Sequence, residues 1–199
     1  MKLTFEQGKL AVEVARRVVE SHVEQDEPVL PDLPEIFNEN RGVFVTLSYH
    51  PSHELRGCIG YPEPIMPLKN ALVDAARSAC SRDPRFPPVN PKELRSIVVE
   101  VSILTPPKPI SVKDPKEYPK KIKIGRDGLI IRRGFSSGLL LPQVPVEFGW
   151  DEETFLTHLC QKAGLDMSAW MDKETKISSF EAQIFSETSP EGKVEVKKL

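Results

Sequence analysis

Two short runs of alternating residues, Val43–Tyr49 and 55–60, stand only five residues apart, and that spacing decides much of the fold. In the first run Val43, Val45, Leu47 and Tyr49 alternate with Phe44, Thr46 and Ser48, the period of a half-buried strand. The link His50-Pro51-Ser52-His53-Glu54 is far too short for the crossover that parallel strands need, so the second run must return antiparallel. Closed symmetrically, the hairpin sets Leu55 opposite Tyr49, Gly57 opposite Leu47 and Ile59 opposite Val45. Its other face pairs Arg56 with Ser48 and Cys58 with Thr46. A one-residue slip would bury Arg56, so this register is the expected one.

Helices flank the hairpin. Residues 4–25 carry Leu10, Ala11, Val14, Ala15, Val18 and His22 along one helical face, and Thr4 with Gln7 forms a capping box. Pro67 suits the first turn of a helix running to about Ser81, which the Asp83-Pro84 step must end. Asn90, Pro91 and Glu93 start a short helix, a strand follows over Ile97–Leu104, and Asp114-Pro115-Lys116-Glu117 repeats the helix-start chemistry. Gly125-Arg126-Asp127-Gly128 reads as the turn of a second hairpin joining 122–124 to 129–131. Pro142 and Pro145 interrupt the apolar run 139–146 and leave it an edge strand at best. Asp151 caps a helix that ends before Gly164, Phe180, Ala182 and Ile184 mark a last strand, and residues 187–199 read as a flexible tail. Hairpins mixed irregularly with helices, without repeats or a low-complexity linker, give an α+β fold, not a doubly wound parallel sheet.

Across 199 residues the net charge is −2, which argues against nucleic acid and acidic membranes as partners. No apolar run approaches the roughly 20 residues that cross a bilayer. Cys58, Cys80 and Cys160 are an odd set without close spacing, against a disulfide framework or zinc knuckle, so a reducing cytoplasm is the expected compartment. No Walker loop, zinc spacing or dinucleotide fingerprint occurs, and no metal or cofactor is expected. Nineteen prolines beside depleted amides make a thermophile-like composition.

Several motifs follow one another in order: Arg41-Gly42-Val43-Phe44, Leu55-Arg56-Gly57-Cys58-Ile59-Gly60, Asp83-Pro84-Arg85-Phe86-Pro87-Pro88 and Glu100-Val101-Ser102. Then come Ile124-Gly125-Arg126-Asp127-Gly128-Leu129, Leu140-Leu141-Pro142-Gln143-Val144, Glu147, Trp150-Asp151 and Cys160-Gln161-Lys162-Ala163-Gly164-Leu165. With them the chain resembles the AMMECR-domain family, named for a human chromosomal region linked to Alport syndrome and elliptocytosis, over residues 4–186. The resemblance implies a two-lobed α+β domain, both termini in the larger lobe and a cleft between the larger lobe and the smaller one. It implies no established reaction. Association of related domains with a Memo-like protein and a radical-SAM enzyme implies such chains as possible partners. The oligomeric state is left open.

Candidate site residues centre on the second strand. Alternation puts Arg56 and Cys58 on one face with their Cα atoms roughly 6.7 Å apart. A guanidinium so placed favours thiolate, which would make Cys58 a nucleophile and Arg56 its activator and anion anchor. The bland alternative is a small side chain between two glycines, with Arg56 salt-bridged to Glu63, Asp83 or Glu147. Asp83 and Arg85 form a stiff loop suited to lining a ligand cleft, or a helix stop. Gln143 and Glu147 flank a proline-broken segment, where side chains orient a ligand or satisfy nearby backbone. His50 and His53 sit in a turn. His158 and Cys160, two residues apart on a helix, diverge by about 200° and form no pair. Two functions follow: an enzyme using an Arg-activated thiol on a small anionic or peptide substrate, or a binding or scaffold module without chemistry.

Overall fold

The computed structural model describes residues 2–197 and is α+β, with two compact units. The first comprises the described residues up to Leu104 and those from Gln183 onward; the second is Thr105–Ala182. In the first unit α1 spans Phe5–Glu24, with the expected Thr4–Gln7 capping box at its start and Gln25 in the left-handed region at its end. Strands β1 (Val43–Tyr49) and β2 (Leu55–Tyr61) form the antiparallel hairpin, α2 (Leu68–Ser81) follows Pro67, and β3 (Ile97–Leu104) pairs with β1. The order β2-β1-β3 leaves β2 at an edge. Val43, Val45 and Leu47 point with Val99, Val101 and Ile103 into a core that includes Ala71, Leu72, Ala75 and Ala76 of α2. Small side chains on α2 let it lie close to the sheet: a Cβ added to Gly57 would stand 2.2 Å from the Ala79 carbonyl oxygen.

One buried ion pair organises this unit. Arg16 of α1 donates from Nε to Glu187 Oε1 at 3.0 Å and from Nη2 to the Ile97 carbonyl at 2.6 Å, while Glu187 Oε2 also accepts the Val99 N–H at 2.9 Å. The carboxylate thus satisfies a β3 backbone donor as well as the guanidinium, the added hydrogen bonding that a buried pair requires.

The second unit begins with β4 (Lys108–Pro109) and the short helix α3 (Tyr118–Lys121). It continues through β5 (Asp127–Arg133), β6 (Ser136–Leu140), α4 (Gln143–Phe148) and α5 (Glu152–Lys162) to β7 (Lys176–Glu187). Its strand order is β4-β7-β5-β6, over a core of Leu129, Ile131, Phe155, Leu156, Leu159, Cys160 and Ile177. The chain then leaves this unit along β7, and β8 (Val194–Lys197) pairs with residues 184–187 of that strand.

Three sequence expectations are corrected here. Gly125–Gly128 is not a hairpin turn: Asp127 is buried, its carboxylate accepts the Lys123 N–H and the Arg126 guanidinium, and β5 starts from it. The hairpin instead turns at Gly134-Phe135, with Gly134 at φ +57°, the first loop position that a tight two-residue turn reserves for glycine. Residues 143–148 are helical, because Pro142 precedes α4 and Pro145 lies in its first turn, where backbone N–H groups have no helical partner to lose. Within the expected loose tail, residues 194 to 197 pair as β8, with Val194 packed on the first unit's core and Lys197 bonded to Glu100, while 198–199 lie outside the described residues.

Candidate functional site

The hairpin register holds for Val45↔Ile59, Thr46↔Cys58 and Leu47↔Gly57, then shifts, so that Ser48 faces Leu55. Arg56 is the extra residue of this bulge. Bulging reverses the expected exposures: Leu55 lies exposed and Arg56 is buried. Its Nε donates to Glu93 Oε1 at 2.7 Å and its Nη2 to Glu93 Oε2 at 3.2 Å, while the Tyr49 hydroxyl donates to the same Oε1 at 2.5 Å. Glu93 comes from the 3₁₀ segment Pro91–Ser96, where it also completes the Asn90 capping box. Arg56 holds the Glu93 carboxyl down at about 2, and hydrogen bonding to Glu93 holds the Tyr49 phenol above its ordinary value. Arg56 therefore pairs with Glu93, not with Glu63, Asp83 or Glu147.

Cys58 keeps a different company. It faces Thr46, and Thr46 faces Glu100 on β3, so the row Cys58–Thr46–Glu100 lies on the sheet face away from α2. The Thr46 hydroxyl donates to Cys58 Sγ at 3.3 Å. On the outer edge of β2, Asp83 Oδ2 accepts the Cys58 N–H at 2.8 Å and Arg85 Nη2 donates to the Cys58 carbonyl at 3.2 Å. Arg85 is locked in turn by Asp83, through Nε to Oδ1 at 2.9 Å and Nη2 to Oδ2 at 2.7 Å. These bonds hold the Asp83 carboxyl well below the usual carboxylate range, Arg85 first among them. Both cations approach the Phe86 ring, with Arg85 Cζ 5.5 Å and Arg56 Cζ 5.9 Å from its centre.

Burial pushes the Cys58 thiol up, against the Thr46 hydrogen bond and the Arg85 charge that pull it down. The guanidinium that bears on the sulfur is that of Arg85, not Arg56. Arg56 as activator is thus corrected, because the bulge turns it to Glu93 and Tyr49. No histidine is bonded to the thiol, and His50 and His53 are exposed in the turn. Among the described residues no group of three or more His, Cys, Asp or Glu is placed to hold a metal ion.

Cys58, Asp83 and Arg85 therefore come together as one cluster, with Arg56 turned away from the sulfur. Gln143 and Glu147 lie one turn apart on α4 of the second unit; Glu147 is exposed, and Gln143 Oε1 is sealed from solvent without a hydrogen-bond partner among the described residues. Glu93, Tyr49 and Phe86 were not singled out as site residues from sequence. The one trace of Glu93 was its capping box, which it shares with its site role.

A profile described as AMMECR1 matches residues 12–185. The chain belongs to the AMMECR1 family. It is 60% identical to Protein MJ0810 of Methanocaldococcus jannaschii over 99% of this chain and 98% of the relative. Protein MK0488 of Methanopyrus kandleri is 53% identical over 100% and 97%. The crystal structure of an uncharacterized protein, PH0010 from Pyrococcus horikoshii, superposes with a TM-score of 0.89 at 49% identity, covering both chains fully. Relatives from thermophilic archaea accord with the proline-rich, amide-poor composition. Among the described residues no helix is long and apolar enough to cross a membrane.

Proposed function

We propose that this AMMECR1 chain is a recognition module that takes a carboxylate or phosphate on the free edge of Arg85, beside a neutral Cys58 thiol. The observation that carries the reading is the posture of Arg85. Asp83 grips its Nε and Nη2, its side chain is 52% exposed, and Nη1 has no partner among the described residues. A guanidinium already fixed by one carboxylate presents its remaining donors with little ordering left to lose on binding. The Thr46 hydroxyl and the Cys58 sulfur supply further polar contacts on the adjoining face. Thiolate catalysis has less support, since burial outweighs both influences that favour the charged sulfur.

The anionic group belongs to a small molecule or to a partner chain, such as the Memo-like or radical-SAM protein that the family resemblance suggests. Three free cysteines fit a cytoplasmic setting.

Calorimetric titration with inorganic phosphate and with succinate tests the proposal on wild type and Arg85→Lys, which keeps a cation for Asp83 and loses the planar fork. Saturable binding by wild type that weakens roughly tenfold in the variant is expected. Equal binding by both proteins, or none by wild type, overturns it. Iodoacetamide labelling of Cys58 with an apparent pKa below about 8.5 would restore the catalytic reading.

A further inference from the structure

The first unit contains a cavity of about 630 Å³, within the size range of small-molecule sites, and neither Cys58, Asp83 nor Arg85 lines it. Its walls come from three elements: Glu20 and Glu24 of α1, Glu191 of the turn between β7 and β8, and Pro91, Lys92, Leu94 and Arg95 of the 3₁₀ segment.

Charge in this lining is sorted by element. With three residues per turn, Lys92 stands in line with Arg95 and Pro91 with Leu94, so the 3₁₀ segment offers a basic row beside an apolar one. From α1 and the turn the lining receives only carboxylates, Glu20 and Glu24 lying one helical turn apart. The two sets do not neutralise each other. Among the described residues Lys92, Arg95, Glu24 and Glu191 have no salt bridge, and Glu20 reaches only Arg16, at 3.7 Å, a guanidinium already bonded to Glu187. Burial raises the Glu20 carboxyl against the pull of Arg16, and Glu191, Glu187 and Glu24 raise it further. Glu24, in the last turn of α1, also opposes the helix dipole.

The walls are fixed from behind. Arg16 ties α1 to the Ile97 carbonyl at 2.6 Å, at the end of the 3₁₀ segment, while Arg56 and Tyr49 grip Glu93 within that segment. Carboxylates and cations held around one open space without meeting are pre-organised for an occupant that carries both charges.

We infer that this cavity binds a small free zwitterion with an ammonium at one end and a carboxylate at the other, as in a short peptide. Glu20, Glu24 and Glu191 receive the ammonium, Lys92 and Arg95 the carboxylate, and Pro91 and Leu94 the stem between them. A cation alone would leave the basic row unpaired, and an anion alone would leave the acids so. The inference is independent of the Arg85 site, with which it shares no residue.

Amide NMR resonances of Lys92, Arg95 and Glu191 report on the cavity directly. Titrating the full chain with triglycine, and separately with ε-aminocaproate, should shift them saturably for at least one probe. Triglycine alone would indicate that peptide groups are read as well, ε-aminocaproate alone that the stem must be apolar, and both that the charged ends suffice. Acetyltriglycine and triglycinamide each lack one charged end and should bind at least roughly tenfold more weakly than triglycine where triglycine binds. Arg95→Gln and Glu24→Gln, both at exposed positions, should each raise the half-saturation point roughly tenfold. Glu35→Gln, outside the cavity, and Arg85→Lys should leave it within about twofold. No saturable shift with either probe, equal binding of an end-blocked peptide, or wild-type affinity in either cavity variant overturns the inference.

Discussion

Asp83 and Arg85 together satisfy both outward backbone groups of Cys58, the N–H at 2.8 Å and the carbonyl at 3.2 Å. In an antiparallel pair a residue whose N–H and C=O both point away from its neighbour is at a non-hydrogen-bonded position, where facing side chains come closest. That position is why the Thr46 hydroxyl reaches the sulfur. It also means that one ion pair stands where an additional strand would dock on the edge of β2, a common hazard for an exposed edge. The loop after α2 is therefore an edge cap, and the site geometry depends on it.

Asp83→Asn should consequently cost more than Arg85→Ala. The first removes a buried charge that accepts from both the Arg85 guanidinium and the Cys58 backbone, a loss on the order of 2–3 kcal/mol. The second leaves the buried Asp83 carboxylate without its cation, eased by water reaching the half-exposed Arg85 position, and should cost on the order of 1–2 kcal/mol. Urea unfolding of both variants gives the comparison. Equal costs would show that the Asp83 contact with the Cys58 backbone adds nothing beyond the pairing with Arg85.

Acid should expose the Arg56–Glu93–Tyr49 cluster. Glu93 titrates near 2 in the fold against an ordinary 4.5, so the native state binds fewer protons than the unfolded chain between those values. Its stabilisation is fully present above about pH 5 and is lost as the pH falls toward 2. Tyr49 has the opposite sign: a raised phenol favours the fold below its ordinary value of 10.0 and loses that benefit as the pH rises past it. Stability measured against pH for wild type and Glu93→Gln should show a flatter acid limb in the variant. At pH 7 the variant should be weaker by on the order of 3 kcal/mol, since a buried guanidinium loses its partner.

Much of the fold was legible because its signals are local. The Thr4–Gln7 and Asn90–Glu93 boxes, the Pro67 start and the 43–49 alternation each need only a few neighbours. What stayed hidden depends on distance in sequence. Arg56 meets Glu93 thirty-seven positions away, and the bulge that aims it there leaves alternation intact on either side. Pro145 looked like a strand breaker because its helical tolerance depends on how close it lies to a helix start. Cys58 and Asp83 are separate picks in the sequence, and the contact between them runs through backbone, which no side-chain pattern records.

Gly57→Ala should unfold the first unit more readily than any other single methyl addition to β2 facing α2. The new Cβ would meet the Ala79 carbonyl oxygen at 2.2 Å, backbone against backbone, with no flexible side chain to give way. A penalty of about 3 kcal/mol or more is expected from such overpacking. Gly134→Ala meets open space and bears only left-handed backbone strain, about 1 kcal/mol. Thermal melts of the pair should separate clearly.

Thiol labelling should be graded by burial. Cys80 is pushed up to about 11 and Cys160 is fully enclosed, whereas Cys58 is half-buried. Folded protein at pH 8 should modify Cys58 slowly and the other two only after denaturant is added, as mass spectrometry of the alkylated chain would record. Prompt labelling of Cys160 in the folded protein would contradict the second unit's core as described.

The last strand yields the sharpest contrast between a loose end and a structural one. Ending the chain after Glu187 removes the β7–β8 pairing, the Val194 contact with the core and the Lys197–Glu100 bond, yet leaves the carboxylate that Arg16 needs. A loss of about 1–2 kcal/mol fits one partly buried valine and an exposed-edge ladder. Ending it one residue earlier also deletes Glu187, leaving Arg16 buried without its partner and the Val99 N–H without its acceptor. A further loss on the order of 3–5 kcal/mol should follow, enough to prevent folding of the first unit in a marginally stable chain. Denaturant midpoints for the two truncations therefore differ far more than one surface residue would allow, and near-identical midpoints would mean that the Arg16–Glu187 pair is not what fastens α1 to β3.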